Sequence, residues 1–282
     1  MDLIELTHKD ILQILPDRNA ESHKGTFGKI LLICGSLGYT GSAALAAMGA
    51  LRCGAGLVYL CVPDRIYDIE AAKLTEPIVI PVTDCNGMWC KDSLSKILEL
   101  LPQMDAVLIG CGMGWNEGTK VVVESVLNIY SGTVVLDADG INALDGNIDI
   151  LRGRTGTTIL TPHAVEFQRL GGVLTDDRVS SAVDFANRSQ SVVLLKGHKT
   201  VITDGTTVYI NPTGNPGMAV GGSGDVLAGM VTVLVGQGLT PIEAAACGAW
   251  LHGAAGDLCA KEIGQYGMLP SDMLKVLPRL LK

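Results

Sequence analysis

The stretch Asn215-Pro-Gly-Met-Ala-Val-Gly-Gly-Ser-Gly-Asp225 contains four glycines and is followed at once by Val-Leu-Ala-Gly. Glycine adopts positive φ angles without strain and lets the backbone approach a ligand closely. The apolar segment that begins at Asp225 has the length of a helix, and the first turn of a helix offers unpaired N–H groups at the positive end of its dipole. The stretch therefore predicts a glycine loop and helix start that bind an anion, as phosphate sites commonly do.

Asp225 is an unexpected neighbour for a phosphate, because two negative charges repel each other. A carboxylate at this position is better explained by another task beside the anion. We expect Asp225 to act as a proton acceptor or to be linked to magnesium, and not to bind the phosphate directly.

Composition favours one enzyme-sized domain. The chain has 282 residues, of which 48% are hydrophobic and 18% are charged. This length supports a large core, and the lack of a linker, repeat or low-complexity tract predicts a single domain over residues 1–282. The formal net charge of −8 argues against a nucleic-acid partner, because no basic field would neutralise phosphates.

The cysteines and the chain start predict a reducing compartment. Eight cysteines occur, without a CxxC pair or a Cys–His set at zinc-site spacing. The first residues lack the basic and apolar regions of a signal peptide, and no uncharged apolar run has membrane-spanning length. We therefore expect a cytoplasmic protein without a membrane partner.

Short apolar, β-branched runs alternate with segments of helical length. Strands are predicted over residues 29–34, 57–62, 77–82, 106–110, 133–137, 157–161, 191–196, 201–203 and 208–210. Helices are predicted over residues 42–53, 93–101, 119–130, 164–170, 176–190, 224–236, 241–263 and 272–281. This alternation predicts an α/β fold with a mostly parallel central sheet flanked by helices on both faces, and Asp204-Gly205 predicts a hairpin between the last two strands.

Two glycine-rich loops follow predicted strands. The chain has no GxxxxGK[ST] loop, and Gly35-Ser-Leu-Gly-Tyr-Thr-Gly41 does not fit GxGxxG, so a P-loop or dinucleotide fold is disfavoured. The 35–41 loop is either a tight turn or a backbone wall of a ligand site with Ala43 at the helix start. Gly110-Cys-Gly-Met-Gly114 is likewise either a flexible turn or a place where ligand meets backbone.

Three polar loops also follow predicted strands. In Asp137-Ala-Asp-Gly-Ile-Asn142 the carboxylates and amide could hold magnesium through water or bind substrate hydroxyls, whereas Asp139 could equally cap a helix. Thr161-Pro-His-Ala-Val-Glu166 sets His163 and Glu166 on one helix face, for substrate hydrogen bonding or simply at the surface. Lys196-Gly-His-Lys-Thr200 suits nucleotide phosphates or a solvated turn.

All five loops are expected at one edge of the molecule. The carboxyl ends of parallel strands share an edge of the sheet, and ligands of open α/β sheets bind in a crevice outside those ends. The five loops together therefore predict a common crevice that includes the 215–225 stretch.

The glycine stretch resembles the GxGD signature of ribokinase-like proteins. Together with Lys24-Gly25 and the five loops, in this order, the chain resembles the NAD(P)H-hydrate dehydratases, which form the carboxyl-terminal half of bifunctional repair proteins. The resemblance extends from about Lys24 to the carboxyl terminus, and the missing epimerase half suggests the stand-alone form. One departure is Cys111, since the family often has Gly-Pro-Gly-Leu-Gly where this chain has Gly-Cys-Gly-Met-Gly.

The resemblance implies a lyase that repairs the S form of hydrated NADH or NADPH by removing water, with cleavage of ADP or ATP. It implies that Asp225 is the catalytic residue, and that Gly222, Ser223 and Gly224 form an anion hole. The implied nucleotide-binding residues are Lys196, Gly197, His198, Lys199, Thr200 and Gly224. The implied substrate-binding residues are Ala43, Gly112, Gly114, Asn142, His163 and Asp225.

The resemblance also implies Mg²⁺ as cofactor, with Glu166 as its contact through water, and a homo-oligomer, by family resemblance a tetramer. The main alternative is a ribokinase-like kinase of a vitamin precursor or sugar, which would use the same loop and the same aspartate. A nucleotide-binding sensor without catalysis is a further alternative. The loops at Ala43, Gly110–Gly114 and His163, which must admit a dinucleotide-sized substrate, distinguish the repair enzyme from the kinase. The sensor predicts that Asp225→Asn keeps nucleotide affinity and abolishes no measurable activity.

Overall fold

The computed structural model describes residues 2–282, and its strands form a single ten-stranded sheet. The strands are β1 (Leu3–Ile4), β2 (Lys29–Ile33), β3 (Leu57–Pro63), β4 (Ile78–Val82), β5 (Ala106–Ile109), β6 (Thr133–Leu136), β7 (Thr158–Leu160), β8 (Val192–Leu195), β9 (Val201–Thr203) and β10 (Val208–Ile210). All nine predicted strands are present within two residues of their predicted bounds. Their apolar, β-branched composition suits strands that helices cover on both faces.

Twelve α-helices surround this sheet in the described residues. They are α1 (His8–Ile14), α2 (Thr40–Arg52), α3 (Tyr67–Lys73), α4 (Leu94–Leu100), α5 (Glu117–Ile129), α6 (Ala138–Asn142), α7 (Asp149–Arg152), α8 (Ala164–Arg169), α9 (Arg178–Ser189), α10 (Ser223–Gly236), α11 (Pro241–Ile263) and α12 (Pro270–Val276). In residues 2–282, no helix combines the length and apolar composition needed to cross a bilayer.

The sheet has the order β1-β10-β9-β8-β7-β6-β5-β2-β3-β4. The seven strands from β8 to β4 in this order are parallel to their neighbours, whereas β9 is antiparallel to β8 and to β10. The predicted hairpin is thus confirmed, with Val208 opposite Thr203. Because the central strands are parallel, the loops at their carboxyl ends leave the sheet at one edge.

The sheet separates two hydrophobic cores, because successive side chains of a strand point to opposite faces. In β2, Ile30 and Leu32 contact the core that α2, α10 and α11 cover, whereas Leu31 and Ile33 contact the core on the side of α5 and α9. All four side chains are fully buried. The predicted α/β architecture with helices on both faces is confirmed.

Five elements lie outside the predicted strands and helices: β1, α1, α3, α6 and α7. Of these, α6 corresponds only to the alternative in which Asp139 caps a helix. Strand β1 has only two residues, which is too short to show a period in the sequence. It is parallel to β10, with Leu3 opposite Val208. Helix α1 begins at a capping box in which Thr7 and Asp10 exchange hydrogen bonds. The predicted last helix ends early, because α12 stops at Val276 and continues as a 3₁₀ turn.

Helices α2 and α10 pack closely because glycines face the opposite backbone. A Cβ atom on Gly49 would lie 2.5 Å from the carbonyl oxygen of Val226, and one on Gly229 would lie 2.0 Å from that of Ala46. Both distances are far below ordinary van der Waals contact. The α2–α10 contact matters for function because these two helices begin at the 35–41 loop and at the glycine stretch.

The substitution Gly49→Ala is expected to destabilise the protein by about 1–3 kcal/mol, because the added methyl group forces the two helix backbones apart. Chemical denaturation measures this loss. Gly41→Ala in the same helix is the matched control, since a Cβ atom there meets no atom within 4 Å. Equal stability of Gly49→Ala and the wild type would show that the helices can separate without cost.

Candidate active site

The loops after five parallel strands meet at one edge of the sheet, as predicted. Hydrogen bonds join them directly: the N–H of Gly35 donates to the carbonyl of Cys111 at 2.8 Å, and the N–H of Lys196 donates to that of Pro162 at 2.9 Å. The start of α10 joins this cluster, because a Cβ atom on Gly224 would lie 3.4 Å from Lys196 Nζ. We refer to the place where these loops and the start of α10 meet as the crevice.

The glycine stretch presents unpaired N–H groups to the crevice. Gly222 has a φ of 96°, which turns the chain sharply into α10. The N–H of Ser223 donates to the carbonyl of Val220 at 3.3 Å, whereas the N–H groups of Gly222, Gly224 and Asp225 have no backbone carbonyl partner among the described residues. Because α10 has 14 residues, its positive dipole end adds to these donors and favours an anion.

A buried ion pair lies at the centre of the crevice. Lys196 Nζ donates to Asp137 Oδ1 at 2.8 Å, and the Thr161 hydroxyl donates to the same oxygen at 2.6 Å. The other carboxylate oxygen, Oδ2, accepts from the Cys111 thiol at 3.6 Å. Lys196 Nζ is also 3.9 Å from Glu166 Oε2. One ammonium group therefore lies within ion-pair distance of two carboxylates that belong to different strand-end loops.

The ion pair holds both of its groups in their charged forms. Burial alone would raise the pKa of Asp137, but the Lys196 ammonium and the hydrogen bonds to the carboxylate bring this pKa below its ordinary value. Burial alone would lower the pKa of Lys196, but Asp137 and Glu166 bring it above its ordinary value. Lys196 thus remains a cation beside the N–H groups of α10, which suits a negatively charged ligand.

Asp225 differs from Asp137 because no cation pairs with it among residues 2–282. Its residue is 9% exposed, and its carboxylate lies near that of Asp137, with ligand atoms of the two residues within 4.8 Å. Burial and the charge of Asp137 raise the pKa of Asp225, and the Ser42 hydroxyl and Cys111 thiol offset this only in part. A carboxylate with a raised pKa is a stronger base than an ordinary one.

His163 and Glu166 begin helix α8 as a reciprocal cap. The His163 Nδ1 accepts from the N–H groups of Val165 and Glu166, and the His163 N–H donates to Glu166 Oε2 at 2.9 Å. An accepting Nδ1 places the proton of a neutral ring on Nε2, which faces Glu166 Oε1 at 3.3 Å. The His163 side chain is 52% exposed, so part of its ring is accessible to solvent.

Backbone atoms form the wall of the crevice that the 35–41 and 110–114 loops share. A Cβ atom on Gly112 would lie 2.7 Å from Ser42 Cβ, and one on Gly35 would lie 2.9 Å from the Cβ of buried Ala43. The N–H of Gly114 donates to Asp139 Oδ2 at 2.8 Å. Asp139 is not the N-cap, because α6 begins at Ala138 with Asp137 at its N-cap; its carboxylate accepts from the glycine wall instead.

The 196–200 turn is compact and largely exposed. The Thr200 hydroxyl donates to the Gly197 carbonyl at 2.9 Å and accepts from the Gly197 N–H at 3.2 Å. Within the turn, Lys199 has a φ of 52°. Gly197, His198 and Lys199 are exposed. On the far side of the site, Asn142 Oδ1 accepts from Arg169 at 3.3 Å.

Sequence reasoning missed the residues that support the wall from behind. They lie in a hairpin after β4, where Trp89 Nε1 donates to the Gly35 carbonyl at 2.7 Å. The side chain of Met88 fills the space where a Cβ atom of Gly114 would be, with Met88 Cε 2.5 Å from that position. The Asn86-Gly87 turn was a detectable hairpin signal, but no local pattern connects it to a loop 25 residues further on.

Comparison with known proteins identifies the family. The family model described as NAD(P)H-hydrate dehydratase matches residues 30–279. A bifunctional NAD(P)H-hydrate repair enzyme Nnr of Moorella thermoacetica is 45% identical over 275 residues, which are 95% of this chain and 52% of that protein. The chain therefore spans about half the length of the curated relatives it matches.

Solved structures show the same fold. An ADP/ATP-dependent NAD(P)H-hydrate dehydratase from Bacillus subtilis, co-crystallised with ATP/Mg²⁺, superposes with a TM-score of 0.84 at 32% identity and covers 99% of this chain and 98% of its own. A ribokinase-like superfamily protein from Enterococcus faecalis has a TM-score of 0.87 at 26% identity, with 99% and 95% covered. The ribokinase-like fold is thus confirmed, and the chain belongs to the NAD(P)H-hydrate dehydratase family.

Proposed function

We propose that this chain dehydrates the S form of hydrated NADH or NADPH, with cleavage of ADP or ATP and release of phosphate. The observation that carries the proposal is the placement of a buried, unpaired carboxylate, Asp225, beside free N–H groups at the start of α10 and beside the Lys196 ammonium. The Bacillus subtilis relative, described as ADP/ATP-dependent and co-crystallised with ATP/Mg²⁺, supports the same use of nucleotides.

The geometry suits a phosphoryl-assisted removal of water. The ring hydroxyl of the hydrate is a poor leaving group. Once phosphorylated, it would leave as phosphate with the C–O bonding electrons, while a neighbouring ring carbon loses a proton to solvent and the double bond forms. Asp225 would take the hydroxyl proton, while the N–H groups of Gly222, Gly224 and Asp225 hold the charge of the transferred phosphoryl group. Ser223 would contribute its N–H only after releasing the Val220 carbonyl.

Two sides of the crevice would bind the two substrates. We propose that the nucleotide contacts Lys196, the exposed turn of Gly197, His198, Lys199 and Thr200, and Gly224. The hydrate would lie against Ala43, Gly112, Gly114, Asn142 and His163, with its hydroxyl at Asp225. The half-exposed His163 ring supports this arrangement because Glu166, which lies 3.3 Å from its Nε2, is also 3.9 Å from Lys196 Nζ.

Magnesium would bind beside Glu166, at the phosphates of the nucleotide, and would neutralise phosphate charge there. Glu166 Oε2 already accepts from the His163 N–H at 2.9 Å and lies 3.9 Å from Lys196 Nζ. This engagement favours a contact to the ion through water over direct ligation. Glu166 also orients His163 and Lys196 whether or not an ion is present.

Two further expectations concern the whole protein. The eight cysteines are all free, which supports a reducing cytoplasm as the place of the reaction. A homo-oligomer, and a tetramer in particular, remains a prediction that sedimentation analysis would test.

The function is tested by incubating the protein with Mg²⁺, hydrated NADH, and either ADP or ATP. Recovery of the nicotinamide absorbance with at least one nucleotide is the expected result, and Asp225→Asn serves as the control for catalysis by contaminants. The absence of recovery with both nucleotides, together with phosphorylation of a vitamin precursor or sugar, would contradict the proposal and identify a kinase. The same assay on the NADPH hydrate measures substrate preference.

The pH dependence of the reaction is expected to report the environment of Asp225. Because burial and Asp137 raise the pKa of Asp225, the acidic limb of kcat/KM should lie above the ordinary aspartate value of 3.8. The variant Asp137→Asn removes a negative charge and releases the Lys196 ammonium, and both changes favour ionised Asp225. The acidic limb of the kcat/KM profile should therefore move to lower pH in Asp137→Asn, whatever the maximal rate of this variant.

The measurement is kcat/KM at saturating nucleotide across the acidic range, with Asp184→Asn as control. Asp184 forms an exposed ion pair with Arg188 on α9, so its replacement should leave the limb in place. A limb that moves to higher pH in Asp137→Asn would show that Asp225 does not set it.

A further inference from the structure

The thiol of Cys111 lies between the two central carboxylates of the crevice. Its Sγ donates to Asp137 Oδ2 at 3.6 Å, and ligand atoms of Cys111, Asp137 and Asp225 all lie within 4.8 Å of one another. All three residues are at least 91% buried, with exposures of 0%, 2% and 9%. The donor set therefore consists of one sulfur and two carboxylates that come from two strand-end loops and the start of α10.

Each of the three side chains has a ligand atom available at the same point. Asp137 Oδ1 is occupied by Lys196 at 2.8 Å and by Thr161 at 2.6 Å, which leaves Oδ2 facing Cys111. Asp225 has no salt-bridge partner among the described residues, and only 9% of the residue is exposed to solvent. A buried carboxylate without a cation is costly, because its desolvation is not offset by a partner.

The charges of the crevice leave room for a divalent cation. The ammonium of Lys196 balances one carboxylate, so ionised Asp225 is an uncompensated negative charge. A bound ion displaces the Cys111 proton, so the thiolate and Asp225 then supply two negative charges that one divalent ion neutralises. One proton is then released for each ion bound, because the thiolate is the ligand form of cysteine.

We propose that Cys111, Asp137 and Asp225 form a binding site for a thiophilic divalent cation such as Zn²⁺ or Cd²⁺, and that its occupation blocks the carboxylate of Asp225. This site goes beyond the proposed reaction, and ion binding itself does not depend on it. The fourth position of the ion would face the crevice, where water or a substrate oxygen can bind.

The distances fit tetrahedral coordination. Metal–sulfur and metal–oxygen bonds of about 2.3 and 2.0 Å place tetrahedral S and O ligands about 3.5 Å apart. The 3.6 Å between Cys111 Sγ and Asp137 Oδ2 already matches this separation. The Asp225 ligand atom lies within 4.8 Å of both other ligand atoms, so a change in its side-chain torsions would bring in the third ligand.

The chemistry of the donors separates this site from a magnesium site. Mg²⁺ requires nearly ideal octahedral oxygen coordination and keeps several waters, whereas thiolate ligands select softer ions. A millimolar concentration of Mg²⁺, on the order used for nucleotide enzymes, should therefore not displace Zn²⁺ from Cys111.

The test is calorimetric titration of the chelator-treated protein with Zn²⁺, together with the thiolate-to-metal absorption band that Cd²⁺ produces. The wild type is expected to bind one ion per chain at the crevice, and to show the band in the presence of Mg²⁺. Cys111→Ala should weaken Zn²⁺ binding by at least about tenfold and abolish the band, because a soft ligand is lost. Cys111→Ser, which keeps the volume and an oxygen atom, should give the same loss.

The double variant Cys85→Ser/Cys90→Ser is the matched control, because it removes thiols that are exposed or half-buried outside the cluster. It should bind Zn²⁺ as the wild type does. Unchanged binding in Cys111→Ala and Cys111→Ser, or loss of binding in the control, would overturn the proposal. Thermal unfolding of each variant separates loss of the site from loss of the fold, and no nucleotide or hydrate is needed, so failure of the proposed reaction would leave this result interpretable.

Discussion

Replacing Asp225 with Asn is expected to lower the turnover of hydrated NADH by about 10²- to 10⁴-fold, the range that general bases contribute. The amide keeps the size of the carboxylate but cannot accept the hydroxyl proton. Binding of ADP should persist, because the N–H groups of Gly222 and Gly224 and the Lys196 ammonium are unchanged. Removal of a negative charge beside the phosphates should, if anything, tighten it.

Turnover is measured from nicotinamide absorbance under saturating substrates, and ADP affinity by calorimetry on the same preparation. Asp184→Asn on the exposed surface of α9 makes the same chemical change away from the crevice and should keep full activity. Near-normal turnover in Asp225→Asn would exclude the role proposed for this carboxylate. Loss of both activity and ADP affinity would instead place Asp225 in nucleotide binding.

The position of Asp225 was predictable because local chemistry determines it. Glycines without side-chain constraint, followed by an apolar segment, specify a tight turn into a helix, and Gly222 does adopt a positive φ of 96° there. The parallel strands were predictable for a similar reason, since their continuous apolar runs require cover on both faces. Strand β1 was not predictable, because its two exposed residues, which pair with Val208 and Tyr209, are too few to show a period.

The partners of the site residues could not be predicted, because they come from distant segments. Lys196 and Asp137 were both named from the sequence, yet nothing local indicates that residues 59 positions apart form a 2.8 Å ion pair. The position of Cys111 between two carboxylates also depends on how two loops meet. A sequence pattern predicts that the loops after parallel strands lie at one edge of the sheet. Which side chains of those loops touch depends on how the neighbouring strands pack.

Replacing Lys196 with Met is expected to lower the free energy of unfolding by about 3–5 kcal/mol, because it leaves the carboxylate of Asp137 buried without its cation. Asp137 has a 3% exposed side chain, so water cannot replace the lost partner. Urea denaturation at neutral pH measures the change. The exposed pair of Lys275 and Asp272 provides the control, since Lys275→Met removes a 71% exposed side chain and should cost at most about 1 kcal/mol.

A second substitution separates the charge effect from the loss of packing. In Lys196→Met/Asp137→Asn the buried carboxylate becomes a neutral amide that can still accept from the Thr161 hydroxyl, so most of the lost stability should return. A double variant as unstable as Lys196→Met would assign the loss to packing of the lysine stem and not to the ion pair.

The ion pair also predicts the pH range over which it stabilises the folded protein. Because the pKa of Asp137 is lowered in the folded state, its contribution is complete above 3.8 and is lost as the pH falls through the lowered value. Because the pKa of Lys196 is raised, its contribution is complete below 10.5 and is lost as the pH rises through the raised value. The difference in unfolding free energy between the wild type and Lys196→Met should therefore be largest between these limits and shrink on both sides. A difference that is independent of pH would show that the two charges do not stabilise each other, and that Lys196 is retained in the crevice for its ligand alone.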